Sequence, residues 1–332
     1  DKRIFLISQM IHNPDVNADL QSLGVQFIQD TEGNILIPWD EIQSDDIVII
    51  PAFGTTIETM DIIKSKGLDT QMYNTTCPFV EKVWNRSTKL GENNHTVIIH
   101  GKHRHEETRA TFSHSKANSP SIILKDIHEA KILRDYINGK LSADDILEKF
   151  KGKYSNGFHP EIHLTKIGVV NQTTMLASET QEIADFFRQV MIDKYGQESI
   201  NDHIADTRDT LCYATNDNQS ATLKLLESEA DLAIIVGGHN SSNTTHLVEL
   251  LEKKFPSYFI RNEHDIINVK EIKSFDIHKE ELNTLKEYLP KKEKLKVIIT
   301  SGASCPDAVV DRVIQRILHL NNVKFDANSI EI

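Results

Sequence analysis

A recurring order of apolar run, polar loop and amphipathic segment is the feature that most constrains the fold of this chain. Short β-branched runs that lead into small or hydroxylated residues and then into helical periodicity are typical of α/β units with parallel strands. The pattern therefore predicts an α/β fold built from similar lobes that each contain a parallel sheet. The six predicted strands are residues 3–8, 46–54, 95–101, 166–172, 231–238 and 296–302.

Local signals predict where two of the helices begin and where one ends. Asn13 followed by Pro14 is typical of an N-cap and first helical residue, and Gly24 suits the end of that helix. Cys305 followed by Pro306 predicts a second helix start of the same kind.

The rhythm of strands and loops predicts three α/β lobes, at residues 1–77, 78–206 and 207–332. A polar stretch at 138–165 interrupts the rhythm and is interpreted as an insertion or surface excursion within the second lobe. The lysine-rich stretch 286–296 is interpreted as a solvated connection.

Composition narrows the class of protein. With 39% hydrophobic and 26% charged residues in 332, the chain has enough apolar sequence for two or three domains with their own cores. A net charge of −12 argues against nucleic acid as the main partner, because phosphate backbones are bound by clustered cations. No apolar run is long enough to span a membrane, and no signal peptide is recognisable. The odd number of widely spaced cysteines suits a reducing compartment.

The loops after the predicted strands share one chemistry. Hydroxyls, amides and backbone N–H groups at helix starts suit a phosphate or diphosphate, although ordinary helix capping uses the same residue types. Neither a GxGxxG nor a Walker A sequence is present, so a nucleotide is not indicated. The four loops are FGTT (53–56), NQTT (171–174), GGHNSSNTT (237–245) and SGAS (301–304).

The segment HGKHRHEETRAT (100–111) concentrates histidine and glutamate after a predicted strand. It resembles the HExxH motif of zinc proteases, but the position that needs the second histidine holds Arg109. His105 and Glu107 could instead bind an anion and transfer a proton, or they could simply be polar residues that begin a helix. A zinc hydrolase that uses these histidines remains one alternative function.

Cys77 and Cys212 each lie at a polar strand-to-helix turn. A lone cysteine is most often an inert small apolar residue, and the closely spaced cysteine pairs of zinc sites are absent. Iron–sulfur clusters can take thiolates from distant loops, so a cluster between lobes is a second interpretation. Two thiolates are too few for such a cluster, and a third would be required.

An ordered set of six motifs resembles the 4-hydroxy-3-methylbut-2-enyl diphosphate reductase family, with wording closest to its plant and cyanobacterial branch. The resemblance spans nearly the whole chain. It rests on IHNP (11–14), TTCPFVEKVW (75–84), HGKHRHEET (100–108), NQTTML (171–176), GGHNSSNT (237–244) and SGAS (301–304).

The resemblance implies three α/β lobes arranged around a central [4Fe–4S] cluster and substrate cavity. Cys77 and Cys212 would be two cluster ligands, and the family's third cysteine is expected upstream of Asp1. Cys305 lies where the family usually has another small residue, so it is expected not to be a ligand.

By the same resemblance, a set of histidines, hydroxyls and an amide surrounds the substrate. Glu107, Thr173 and His105 are the expected catalytic residues, with Glu107 at the head of proton delivery. Phe53 stands where the other branch has a substrate-binding histidine, so that contact is expected to be absent or supplied elsewhere. The expected substrate-binding residues are His12, His105, Thr173, Ser241, Ser242, Asn243 and Ser304.

The implied reaction is the reductive dehydroxylation of an allylic diphosphate, with electrons from ferredoxin or flavodoxin because the chain carries no flavin or nicotinamide fingerprint. The bacterial cytoplasm is the expected location, and the plastid stroma is the alternative. The competing function from another class is a non-catalytic diphosphate-binding protein without a competent cluster.

Overall fold

The computed structural model describes residues 2–206, 212–292 and 294–322. The chain divides into two compact units, one of Asp1–Ile11 with Val16–Cys212 and the other of His12–Asp15 with Tyr213–Ile332. The division into lobes at 1–77, 78–206 and 207–332 stays a prediction.

The first unit contains two three-stranded sheets, and both are wholly parallel. In each sheet the strand that comes first along the chain lies in the centre, with the second strand on one side and the third on the other. The first sheet has the order β2-β1-β3, and the second has the order β5-β4-β6. Their strands are β1 (Ile4–Leu6), β2 (Gln26–Phe27), β3 (Ile47–Ile49), β4 (Thr96–His100), β5 (Ser121–Leu124) and β6 (Ile167–Asn171).

The second unit repeats this arrangement in a third parallel sheet, of order β11-β7-β8, and adds an antiparallel hairpin, β9 with β10. The central strand is again the first along the chain, and its five residues are buried. The strands are β7 (Leu232–Val236), β8 (Ser257–Ile260), β9 (Glu271–Asp276), β10 (Glu281–Lys286) and β11 (Val297–Ser301).

Helices connect the parallel strands, as the right-handed crossover of α/β units requires. Those of the first unit, apart from its shared first helix, are α2 (Ile57–Ser65), α3 (Pro78–Glu92), α4 (Glu106–Lys116), α5 (Ile127–Ile137), α6 (Ala143–Lys149), α7 (Pro160–His163), α8 (Ala177–Tyr195) and α9 (Ile200–His203). The remaining helices are α1 (Pro14–Ser22), α10 (Tyr213–Leu225), α11 (Ser242–Leu251) and α12 (Asp307–Leu320).

The helix signals in the sequence are confirmed. Helix α1 begins at Pro14, and the Asn13 side chain accepts a hydrogen bond from the Asp15 N–H at 3.1 Å. Gly24 follows the end of this helix with a φ of +92°, a conformation that glycine adopts without strain. Helix α12 begins at Asp307 with Pro306 as its N-cap, one residue later than predicted.

All six predicted strand regions contain a parallel strand, whereas five further strands were not predicted. Three of the missed strands give a weak signal: β2 has two residues, and the hairpin strands carry mixed polar sequence with only part of their side chains buried. The other two, β5 and β8, have four mainly apolar residues each and are not explained in this way. Continuous apolar character marks the central strands, because both faces of those strands are covered by helices.

The interpretation of 138–165 as a surface excursion is wrong. The segment forms α6 and α7, and its large apolar side chains join the core that β4, β5, β6, α5 and α8 build. These apolar residues are widely spaced among polar ones, so the local composition of the segment does not indicate that it contributes to the core. The buried members are Ile146, Phe150, Phe158 and Leu164.

Candidate functional site

The repeated sheet topology determines where polar loops meet. In an open parallel sheet, ligands bind beyond the carboxyl ends of the strands where neighbouring connections leave in opposite directions. In the second sheet that point lies between β4 and β6, whose ends His100 and Asn171 are paired in register. The loops that contain His105 and Thr173 therefore start from the same sheet edge.

Glu107 and Thr173 form the central contact of this edge. The Thr173 N–H and hydroxyl both donate to the Glu107 carboxylate, the hydroxyl to Oε2 at 2.9 Å. Glu107 is 1% exposed. Burial raises the pKa of its carboxyl to about 7, and the two hydrogen bonds from Thr173 oppose that rise by favouring the ionised form. The group therefore exists in both protonation states near neutral pH, which suits a proton donor.

His105 is the N-cap of α4 and lies directly before this carboxyl. Its Nδ1 accepts a hydrogen bond from the Glu107 N–H at 3.2 Å, which fixes the ring over the first turn of the helix. The ring of Phe53 contacts His105 edge-on with 5.6 Å between the ring centroids. Phe53, which stands where the other branch of the family has a substrate-binding histidine, therefore packs against the predicted site residue His105.

Gln172 joins the two loops and was not singled out from the sequence. Its Oε1 accepts hydrogen bonds from the Thr108 hydroxyl at 2.9 Å and from the Lys102 N–H at 3.1 Å. Its Nε2 donates to the Thr174 hydroxyl at 2.7 Å. A buried amide between two strand ends could have been suspected from the NQTT motif alone, because such a group must find partners in neighbouring loops.

Gly54 holds the loop after β3 close to α3. Its φ is +72°, and a Cβ at this position would lie 2.4 Å from the ring of Trp84. The Trp84 ring in turn stacks on His114 at 3.7 Å and donates its N–H to the Thr111 hydroxyl at 3.2 Å. The backbone that carries Phe53 is therefore fixed by a close approach that only glycine permits.

Cys77 follows a segment that continues along the end of β3. The Cys77 N–H donates to the carbonyl of Ala52 at 2.9 Å, and Pro78 is the first residue of α3. The thiol is half-buried and free of a disulfide. A partly accessible free thiol at the start of a helix is available to bind a metal or an iron–sulfur cluster.

The other two cysteines differ in their surroundings. Cys212 directly precedes α10 and is a half-buried free thiol, as is Cys77. Cys305 is buried in the core of the third sheet, and burial raises the pKa of its thiol to about 11, with Asp15 and Asp307 adding to the rise. This thiol remains protonated at neutral pH, which disfavours it as a metal ligand.

The second unit holds the remaining predicted residues in loops after β7 and β11. The short segment His12–Asp15 belongs to this unit. Asn13 donates its side-chain N–H to the carbonyl of Ser304 at 3.0 Å, and the Ser304 hydroxyl donates to the carbonyl of His12 at 3.4 Å. A Cβ at Gly238 would lie 2.3 Å from that same His12 carbonyl oxygen. His12, Asn13 and Ser304 are therefore held together by hydrogen bonds from side chains to backbone carbonyls.

The start of α11 presents the predicted serines and amide. Ser241 is the N-cap, and its hydroxyl accepts a hydrogen bond from the Thr244 N–H at 3.3 Å. Ser241, Ser242 and Asn243 are all buried. Among the described residues, neither the amide nitrogen nor the carbonyl oxygen of the Asn243 side chain has a hydrogen-bond partner. A buried amide with both groups unsatisfied is costly and is typical of a site that binds a polar ligand.

The structure does not favour the zinc alternative. His100 is buried and its Nδ1 lies 2.8 Å from the Thr180 hydroxyl, while His103 is exposed. Within the described ranges, no three side chains among His, Cys, Asp and Glu are grouped as metal ligands. No helix in the part of the chain that the structure describes is both long and apolar enough to cross a membrane.

The fold and these loops define a class of α/β protein with repeated three-stranded parallel sheets. Its loops carry a buried carboxyl that can be protonated, a helix start rich in hydroxyl groups, and free thiols that are partly accessible to solvent. The chain belongs to the LytB protein family, whose sequence model matches residues 1–318.

Relatives within this family are close in sequence. The 4-hydroxy-3-methylbut-2-enyl diphosphate reductase of a Picosynechococcus species is 41% identical over 319 residues, which cover 95% of this chain and 76% of the relative. The protein of the same name from Crocosphaera subtropica is 40% identical over 97% of this chain and 78% of its own length. The resemblance to this family and to its cyanobacterial branch is thereby confirmed.

Two solved structures share the fold. The E-1-hydroxy-2-methyl-but-2-enyl-4-diphosphate reductase from Plasmodium falciparum matches with a TM-score of 0.65 at 21% identity, over 96% of this chain and 79% of that one. A structure of (E)-4-hydroxy-3-methyl-but-2-enyl diphosphate reductase matches with a TM-score of 0.54 at 22% identity, over 96% and 89% of the two chains. At these identities the likeness supports the predicted α/β class and no individual site residue.

Proposed function

We propose that this protein reduces (E)-4-hydroxy-3-methylbut-2-enyl diphosphate to isopentenyl and dimethylallyl diphosphate. Membership of the LytB family and curated relatives of that name at about 40% identity support the assignment. The observation that carries the chemistry is the buried Glu107 carboxyl, whose pKa of about 7 lets it hold a transferable proton at neutral pH. The reaction breaks the C4–O bond, adds two electrons and one proton to the carbon skeleton, and releases the oxygen with a second proton as water.

The diphosphate is assigned to the loops of the second unit. The hydroxyls of Ser241 and Ser242 and the amide of Asn243 lie at the start of α11, where backbone N–H groups and the helix dipole favour an anion. His12 and Ser304, which are tied together by hydrogen bonds, supply a further imidazole and hydroxyl. The unsatisfied Asn243 side chain supports a polar ligand here.

The proton is assigned to the first unit. Glu107 in its protonated form donates to the departing oxygen, and Thr173 keeps the carboxyl in place through two hydrogen bonds. His105, fixed as the N-cap of α4, lies next to Glu107 and binds substrate or relays the proton. Burial excludes bulk water from this carboxyl, so that its proton is kept for the substrate.

We further propose that Cys77 and Cys212 are two ligands of a [4Fe–4S] cluster, with the third thiolate supplied by sequence upstream of Asp1. Both thiols are half-buried and free of a disulfide, and each directly precedes a helix, α3 for Cys77 and α10 for Cys212. When bound, the cluster supplies the electrons and a Lewis acid for the substrate oxygen. Cys305, buried and protonated, is assigned no role in it.

The electrons come from a separate protein, and ferredoxin or flavodoxin is the proposed donor. The proposed location is the bacterial cytoplasm, with the plastid stroma as the alternative. The competing proposal, a non-catalytic diphosphate-binding protein, predicts a colourless protein that binds the substrate without turnover.

The test is turnover of the allylic diphosphate by anaerobic protein with a chemical reductant, in the chain extended by its upstream sequence and in its Glu107→Gln variant. The glutamine keeps the size and hydrogen-bonding capacity of the side chain but cannot release a proton, so kcat should fall by about 10² to 10⁴ while substrate binding persists. Near-normal turnover would remove Glu107 from the proposed role.

Glu58→Gln is the matched control. Glu58 also lies in the first turn of a helix and accepts a serine hydroxyl bond, from Ser113 at 2.7 Å. Its side chain is exposed, however, and hydrogen bonds from Lys116 and Ser113 lower its pKa to about 2. This variant should turn over at the normal rate.

A further inference from the structure

A recess opens at the carboxyl edge of the second sheet, on the side of β4 away from the Glu107–Thr173 contact. It lies between the ends of β4 and β5, has a volume of about 190 Å³ and is open to solvent. We call it the basic recess. Its lining residues are Gly101, Lys102, His103, Arg104, Ile123, Lys125 and Lys153.

Lys153 reaches the recess because the 138–165 segment returns along the free edge of β5. The Ile123 N–H donates to the Lys153 carbonyl at 2.7 Å, and the Ser155 N–H donates to the Ser121 carbonyl at 2.9 Å. The Lys153 ammonium then pairs with Glu129 on α5 at 2.6 Å. The 138–165 segment, to which the proposed function assigns no role, thus forms one wall of this recess.

The recess is strongly positive in a chain whose net charge is −12. Four cationic side chains line it, and Glu129 compensates only that of Lys153. Among the described residues, Lys102, Arg104 and Lys125 make no salt bridge. His103 is exposed but partly shielded from water at the recess, and its pKa is lowered by this partial desolvation and by the charges of Lys153 and Arg104, against the opposite effect of Glu129.

A short stretch of structure connects the recess with the proposed chemistry. Arg104 directly precedes His105, the ring of His105 contacts Phe53, and Phe53 follows Ala52, whose carbonyl accepts the Cys77 N–H. All of these residues belong to the first unit. A partner bound over the recess would therefore sit within a few side chains of the proposed cluster ligand.

We propose that the basic recess is the docking site of an acidic electron-carrier protein, an inference that rests on the proposed reductase function. A reduction needs electrons from outside this chain, and opposite charge brings a carrier to one face quickly and in one orientation. The concentration of uncompensated cations on an otherwise acidic protein selects a negatively charged partner. Three free cations on a shallow surface suit a transient encounter, which an electron donor requires so that it can leave after each transfer.

The test compares two reductants in the double variant Arg104→Glu/Lys125→Glu. Both side chains are exposed, and neither has been assigned to the catalytic or substrate-binding residues. With a small acidic [2Fe–2S] ferredoxin at low ionic strength, the KM for ferredoxin should rise about tenfold or more, and added salt should reduce the difference. With a zwitterionic viologen as the reductant, kcat and the KM for the diphosphate should be unchanged.

The matched control is Lys89→Glu/Lys166→Glu, which changes the net charge by the same amount. Lys89 lies in the last turn of α3 and Lys166 directly precedes β6, so both are exposed at the opposite, amino end of the second sheet. The KM for ferredoxin should rise less than in the first double variant, and at about 0.1 M salt it should stay within about twofold of the natural value, since a Debye length of about 10 Å screens distant charge. Equal effects in the two double variants would overturn the proposal.

Direct binding of oxidised ferredoxin, measured by calorimetry, separates this inference from the proposed function. If the chain extended by its upstream sequence gives no turnover with the viologen, the reductase assignment fails, while the binding measurement still decides whether the recess docks ferredoxin. A parallel loss with both reductants would place the recess within the catalytic site and contradict docking. Inorganic phosphate that shifts the His103 NMR signals without displacing ferredoxin would show a small-anion site instead.

Discussion

At the scale of single residues, burial decides what a carboxyl can do. Glu107 and Glu58 both lie in the first turn of a helix and both accept a hydroxyl hydrogen bond. The buried one has its pKa raised to about 7, whereas the exposed one beside Lys116 has its pKa lowered to about 2. Sequence alone suggested a proton-transfer role for Glu107 but could not establish its burial, because that depends on a loop that arrives from another strand.

The pH dependence of turnover follows from the Glu107 proton. Because the active form is protonated, kcat should fall as the pH rises through about 7. Thr173→Val removes the hydroxyl bond that favours the carboxylate, so the descending limb should move to higher pH. A pH–rate series on both proteins is the measurement, and an unchanged limb in the variant would contradict the role of Thr173.

The same proton affects stability. The folded pKa of about 7 lies above the ordinary value of 4.5, so the folded state holds a proton that the unfolded state has lost between these two pH values. The contribution of Glu107 to the free energy of unfolding should therefore decrease as pH rises across this window.

Asn243 offers a test that separates binding from stability. Since its buried amide has no partner among the described residues, Asn243→Leu should leave the free energy of unfolding unchanged or raise it by about 1–3 kcal/mol. Affinity for inorganic diphosphate should fall tenfold or more. Asn218→Leu is the contrasting control, because Asn218 donates to the Ser301 carbonyl at 2.9 Å and its loss should destabilise the fold. A clear loss of stability in Asn243→Leu would argue against a ligand-binding role.

At the scale of elements, one topology explains why the proposed site loops recur. In all three parallel sheets the first strand is central, and the later strands lie on opposite sides of it. The loops with hydroxyls and amides follow either the central strand or the strand that comes last along the chain. These two strands are neighbours, and the connections that follow them leave in opposite directions. The central strands could be predicted because continuous burial leaves a continuous apolar run, as in Val97–Ile99. Short strands such as β2, and the partly exposed hairpin, leave no such signal.

The 138–165 segment gives a test of core membership. Phe150 is 1% exposed within the core of the second sheet, so Phe150→Ala should lower the free energy of unfolding by about 3–5 kcal/mol. Ile162 lies in the same segment and is 62% exposed, so Ile162→Ala should change it by less than about 0.5 kcal/mol. Urea unfolding measures both, and equal small effects would restore the surface interpretation.

At the scale of the whole molecule, family and fold could be anticipated because the motifs occur in order along the chain, as the LytB match over residues 1–318 confirms. The cluster is expected from the same resemblance, because the spacing of the cysteines alone does not indicate one. Cys77 and Cys212 supply two free thiols, whereas Cys305 differs from them in its burial in a core. A sequence that contains three cysteines therefore does not by itself contain three ligands.

The most direct test of the central claim is the iron and acid-labile sulfide content per chain of protein purified without oxygen. It should be measured for residues 1–332, for the chain extended by its upstream sequence, and for Cys77→Ser, Cys212→Ser and Cys305→Ser in the extended chain. The account predicts a full cluster in the extended chain and in Cys305→Ser, and its loss in each of the other two variants. A cluster that survives Cys77→Ser or disappears in Cys305→Ser would contradict the ligand assignment, and absence of iron from the extended chain would favour the diphosphate-binding protein.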